Sequence, residues 1–173
     1  QDGFYPSPKS TRLYLGTDAR PGGVYGAGPS VGSLHDVDAL IPHPQYNPSK
    51  TENDIALVHL AEPIAGVQPM VFQYDTLKSS DVVGKNVLYV GFGVTDGLNQ
   101  QGAGLKRSVS VKLISLMTKS YMSNGDGVGV CFGDSGGPGL FMDSQGNQRI
   151  IGVNSTVFGM GSSDPCGGNS YQA

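Results

Sequence analysis

Apolar and polar positions alternate in short stretches along most of this chain, with clusters of Gly, Pro, Ser and Asn between them. Arg12-Leu13-Tyr14-Leu15-Gly16 reads as a strand that ends in a glycine turn. Leu34 to Ile41, Asp54 to Leu60, Asn86 to Gly93, Ser108 to Leu113 and Arg149 to Asn154 read as further strands. Val109, Val111 and Leu113 keep the period of two that a strand with one buried face requires. Asn86 to Gly93 is instead nearly continuous in apolar residues, as a strand in a barrel core would be. One short helix is predicted near Leu116 to Ser123, and Pro63 to Asp81 is the best candidate for an internal linker. Strand after strand at turn-bounded spacing predicts an all-β sandwich or barrel.

Composition narrows the picture in three ways. The 27 glycines and 11 prolines among 173 residues supply many turns without reaching a disordered composition. The length suffices for a sizeable core, as one domain or two small ones. A net charge of −3 with no basic cluster argues against a nucleic acid or an anionic membrane as partner. No apolar run approaches the ~18 residues that a membrane-spanning helix needs. The two cysteines, Cys131 and Cys166, are either free and buried or joined to each other.

The densest chemistry lies in Gly133-Asp134-Ser135-Gly136-Gly137-Pro138. Glycines around a serine leave its hydroxyl open to close approach by a carbonyl, which marks Ser135 as a candidate nucleophile. Backbone N–H groups of Gly133 and Ser135 can converge on one point and hold a developing oxyanion. A serine nucleophile at neutral pH needs a base, and the base needs an orienting carboxylate. Asp54, in Asn53-Asp54-Ile55-Ala56-Leu57, is the candidate for that carboxylate, 81 residues before Ser135.

These two motifs, in this order and at this separation, resemble those of chymotrypsin-like (trypsin-fold) serine proteases, and looser agreement covers nearly the whole chain. His43-Pro44-Gln45-Tyr46 resembles the structural His-Pro loop that precedes the family's triad aspartate. Gly91-Phe92-Gly93 resembles its Gly-Trp-Gly strand end. The resemblance implies a double Greek-key β-barrel whose first barrel is incomplete, with residues 1–75 as the remainder of that barrel and 76–173 as the second, carrying the nucleophile loop. It also implies that Cys131 and Cys166 form a disulfide that staples this loop to the pocket wall. Asp134 matches the residue that binds the freed N-terminal amine in activated members. Gly129, Val130, Ser155, Thr156 and Val157 fall at substrate-binding positions. Gly129, six residues before the nucleophile, stands where an aspartate would select Arg or Lys, so the resemblance implies a preference for uncharged, small or medium apolar residues. Val157 at a glycine position narrows the pocket entrance, unless Phe158-Gly159 realigns and opens it, and Asp164 is the one acid that could swing in.

The base is absent from this pattern. His35 and His59 lie on predicted strands, His43 belongs to its loop, and the family's histidine precedes the Leu15-Gly16 strand end by enough to fall at or before Gln1. The sequence therefore reads as a fragment, cut after the histidine segment and again inside a strand at Tyr171-Gln172-Ala173. For the parent protein the resemblance implies a secreted, monomeric serine endopeptidase that works through an acyl-enzyme. Its partners would be polypeptide substrates and protein protease inhibitors, and no cofactor or metal is implied. Two rivals remain. Gly133 to Gly137 also fits the Gly-x-Ser-x-Gly elbow of α/β-hydrolases, but no histidine follows Ser135 and no helical period follows Pro138. A serine-protease homologue without its histidine, acting as a binding module, is the alternative.

Overall fold

The predicted alternation becomes strands at each of the six places named, and the chain folds as all-β structure. The computed structural model describes residues 6–20, 32–158, 166 and 168–173. Three strands, β1 (Arg12–Leu15), β2 (Ser33–Pro42) and β3 (Ala56–Leu60), form a small antiparallel sheet in chain order. The remaining strands are β4 (Val71–Phe72), β5 (Asn86–Gly91), β6 (Arg107–Leu116), β7 (Tyr121–Asn124), β8 (Pro138–Met142), β9 (Gln148–Phe158) and β10 (Asn169–Gln172). They run in the order β10-β7-β6-β5-β8-β9-β4, and β10 also pairs with β9. Six strands thus close into a barrel, with β4 attached in parallel to the outer edge of β9.

The barrel holds the core. Val87 and Tyr89 of β5, Val111 and Leu113 of β6, and Tyr121 of β7 point inward with Val82 and Val130, while Lys112 and Ile114 face out. This is the period-two pattern read from the sequence, with the same residues on the buried face. The interior also carries a polar chain: the Tyr89 hydroxyl donates to Ser123 Oγ at 2.9 Å, and Ser123 and Ser170 hydroxyls lie 2.7 Å apart. Gln172 Nε2 donates to Ser170 Oγ at 2.8 Å. Burial raises the pKa of both Tyr89 and Tyr121, so these phenols stay neutral inside the barrel. The Tyr121 ring occupies space where β9 has no side chain: a Cβ on Gly152 would come within 2.6 Å of Tyr121 Cε1.

The small sheet buries much less. Leu57 and Val58 of β3 are 65% and 49% exposed, so apolar side chains on both faces of this strand meet solvent. Hydrogen bonds at its margins tie it to the barrel. Ala19 N–H donates to Gly104 O at 2.7 Å and Lys106 N–H to Thr17 O at 2.9 Å. Arg20 and Asp18 form a bidentate pair beside them that holds the Asp18 carboxyl at about 2.

The helix predicted near Leu116 to Ser123 is not formed. β6 runs to Leu116, the turn is closed by Met117 N–H on Ser120 O at 2.8 Å, and β7 begins at Tyr121. Tyr121 and Ser123 are buried while Met122 and Asn124 are half-buried, a strand alternation too short to declare itself in sequence. A short α-helix, α1 (Ser79–Val82), lies at the end of the predicted linker, which also contains β4.

Cys131 and Cys166 are joined as a disulfide across 35 residues, with Cα atoms 4.6 Å apart. Closing a loop of that length lowers the entropy of the unfolded chain, worth about 3–4 kcal/mol. Replacing both cysteines by serine is expected to lower the urea-unfolding free energy by that amount. A loss below about 1 kcal/mol would show that the crosslink does not constrain the unfolded chain.

Candidate active site

The nucleophile loop leaves β7 through Gly125 to Val130 and reaches β8 at Pro138. Its shape is set by Asp134. One carboxylate oxygen accepts the Gly93 N–H at 2.8 Å and the other the Cys131 N–H at 2.9 Å, while the Asp134 N–H donates to Cys131 O at 3.1 Å. Gly91 and Gly93 are glycines for a steric reason, because a Cβ on Gly93 would lie 2.6 Å from the Asp134 carboxyl carbon. Gly133 has φ +90°, a conformation that side chains other than glycine's resist. The turn leaves Ser135 exposed, and its Oγ makes no hydrogen bond to another described residue. The N–H groups of Gly133 and Ser135 likewise donate to no described acceptor.

Asp54 reaches the same region from the small sheet. Asn53 holds it there: with φ 55° it turns the chain into β3, its Nδ2 donates to Gln45 O at 2.9 Å, and its Oδ1 accepts Lys119 Nζ at 3.2 Å. Asparagine tolerates this left-handed backbone better than most residues. The half-buried Asp54 accepts the Ser155 hydroxyl on Oδ2 at 2.7 Å, across 101 residues. Oδ1 accepts nothing from a described residue.

A cavity of about 160 Å³ is lined by Val130, Cys131, Phe132, Ser135, Asn154, Ser155, Thr156 and Val157, none of them charged. The structure thus brings Ser135 together with four of the five sequence-named substrate-binding residues. Gly129 stands apart from them: with Asp134 and Gly93 it lines a second cavity of about 360 Å³, and buried Val130 borders both. Val157 also packs against the barrel core. Asp164 and Gly159 lie outside the described residues.

None of the three histidines meets Asp54. His35 Nε2 lies 2.7 Å from Ser33 Oγ, His43 Nδ1 accepts the Gln45 N–H at 3.1 Å, and His59 Nδ1 lies 2.5 Å from Asp38 Oδ1 across β2 and β3. His43 is thus engaged within its own turn. Among the described residues no group of three His, Cys, Asp or Glu is placed to hold a metal ion.

Sequence reading did not single out Phe132 or Asn154. Phe132, 44% exposed, borders the cavity from within the nucleophile loop. Asn154 ends the apolar run Ile150-Ile151-Gly152-Val153, and an amide continuing an apolar strand inward is the only signal that could have marked it.

The family model described as trypsin matches residues 22–171. A trypsin of Phaedon cochleariae is 32% identical over 154 residues, covering 78% of this chain and 55% of the relative. "Serine protease ea" of Drosophila melanogaster is 32% identical over 127 residues, 62% of this chain and 32% of the relative. "Serine protease 1" of Canis lupus familiaris is 29% identical over 133 residues, 67% of this chain and 53% of the relative. The chain therefore spans between about a third and just over half of these relatives' lengths. With a family match over most of its length and a closed six-stranded barrel, the chain belongs to the trypsin family of serine proteases.

Proposed function

We propose that this chain carries the nucleophile and the orienting carboxylate of an extracellular serine endopeptidase. The observation that carries the reading is the pairing across the two sheets: Asp54, fixed by Ser155, stands beside a cavity lined by an exposed Ser135 hydroxyl. In this reading Ser135 Oγ attacks the scissile carbonyl carbon and its proton passes to an imidazole. The carbonyl oxygen gains the negative charge and is held by the N–H groups of Gly133 and Ser135. Collapse of the tetrahedral species breaks the C–N bond, the imidazolium protonates the leaving amine, and water then hydrolyses the acyl-Ser135 ester by the reverse proton path. Asp54 Oδ1, which has no described partner, is the atom that would accept the imidazole N–H and fix its tautomer. Residues 1–75 and 76–173 act as two halves that each contribute one of these groups. An extracellular location is supported by the disulfide, a bond that the cytosol does not favour.

All three histidines of the sequence are bonded to groups other than Asp54, so in this reading none of them supplies the base. The same observation supports the second reading, a homologue that binds without cleaving. The two readings part over the base. Supplying the purified chain with the N-terminal portion of a related protease restores turnover under the first reading and leaves none under the second.

The chain by itself is expected to be inactive on casein and on activated esters, because an unassisted serine remains a protonated alcohol and a triad acts as a unit. Turnover by the 173-residue chain that disappears in Ser135→Ala would overturn this assignment of the base.

Specificity follows from the uncharged cavity lining. Seating a lysine or arginine there would desolvate a cation with no partner among the described lining residues, at a cost of several kcal/mol. Cleavage is expected after uncharged residues, small or medium apolar ones first. A peptide-library profile of the active enzyme dominated by Arg or Lys before the cut would refute it, as would one dominated by large aromatic residues.

A further inference from the structure

Asn154 is 5% exposed, lines the cavity with Ser135, and is bonded to the nucleophile loop on both sides of that serine. Its Nδ2 donates to Asp134 O at 3.1 Å, its backbone O accepts the Gly136 N–H at 2.9 Å, and its backbone N–H donates to Gly137 O at 2.9 Å. We propose that the Asn154 side chain is a positioning residue that fixes the Ser135 N–H as an oxyanion donor.

The argument is geometric. The peptide between Asp134 and Ser135 is trans, so its C=O and N–H point in opposite directions from one plane. Whatever holds the carbonyl also aims the N–H. The Asp134 carbonyl accepts two donors, the Gly137 N–H at 3.0 Å and Asn154 Nδ2. The first belongs to the same loop, which the backbone of Asn154 also ties to β9 at Gly136 and Gly137. The second is a side chain of β9 and bonds the peptide carbonyl itself directly to the barrel wall. The Ser135 N–H is then left on the opposite side with no described acceptor, available to a ligand.

Asn154 also carries a cost in stability, one it shares with Tyr121 and Asn169. Its Oδ1 is buried with no hydrogen-bond partner among the described residues. Burying an unpaired carbonyl is unfavourable, and an apolar side chain of the same size would avoid it while keeping both backbone bonds. Such a local conflict is expected where geometry at a site matters more than stability.

The test uses Asn154→Leu, which keeps the branched outline, though with a larger volume, and removes the donor, and Asn154→Asp, which keeps the shape and removes the donor, as the second variant. Residual dipolar couplings of the Gly133 and Ser135 N–H vectors are measured in the ¹⁵N-labelled 173-residue chain. In the unsubstituted chain a single Ser135 N–H orientation is expected. In the variants the Ser135 coupling shifts or averages, while those of β5 and β6 stay unchanged. An unchanged Ser135 coupling in whichever variant folds overturns the proposal, and so does an already averaged vector in the unsubstituted chain. These measurements need no activity and stand apart from the proteolytic reading, on which the catalytic consequence rests. In the active enzyme kcat is expected to fall roughly tenfold at constant KM, less than the loss of an oxyanion donor itself costs. A kcat unaffected by a displaced N–H would remove the catalytic role, whereas absence of activity in the unsubstituted enzyme would remove the proteolytic reading alone.

Discussion

A partly buried carboxylate has to be solvated by something, and at Asp134 it is solvated by backbone. The Gly93 and Cys131 N–H groups serve its two oxygens, and the loop around it takes the shape those bonds require. Gly91 and Gly93 must lack side chains to admit it, Gly133 must turn with a positive φ, and Ser135 is thereby presented to solvent. The disulfide at Cys131 fixes the same turn from the side of residue 166. Electrostatic satisfaction of one acid thus organises the nucleophile loop before any substrate is considered.

The two sheets contribute unequally. The buried hydrophobic cluster lies within the barrel and the segments attached to it, while β3 exposes apolar side chains on both faces. The small sheet is positioned by hydrogen bonds more than by burial. That places weight on the bonds that tie the small sheet to the barrel, among them Ser155 to Asp54, Lys119 to Asn53, and the backbone bonds of residues 17–19 with 104–106, beside the edge contact of Tyr14 with Phe92. Each such bond contributes about 1 kcal/mol. The carboxylate is therefore held accurately but not strongly, and its position depends on the turn at Met117 to Ser120 that carries Lys119.

That turn also shows why sequence reading succeeds in one place and fails in another. β6 is ten residues long with Val109, Val111 and Leu113 on one face, enough repeats to fix its period. β7 has four residues, and its inward positions are Tyr121 and Ser123, the second of which is polar because it accepts the Tyr89 hydroxyl inside the barrel. A polar residue on the buried face erases the signal that periodicity depends on. β8 escaped for a related reason: Pro138 and Gly139 open it, and glycine is there because the Tyr121 hydroxyl fills the space a side chain would take. β4 is two residues long and exposed, and exists only by pairing with β9.

The candidate site was legible where its chemistry is local and hidden where it is tertiary. Ser135, Gly133 and Asp54 stand in motifs whose neighbours in sequence are their neighbours in space. The cavity residues were read by offset from Ser135 and Ser155, which placed Val130, Ser155, Thr156 and Val157 beside it but set Gly129 against the other cavity, because the chain at Val130 turns inward between them. Asn154 could not be read by offset at all. Its role depends on which carbonyl its amide meets 20 residues away, and on a peptide plane whose far end faces the site. The Asp134–Ser135 peptide is held on its carbonyl side both by the loop, through the Gly137 N–H, and by the barrel wall, through a side chain that need never touch a substrate.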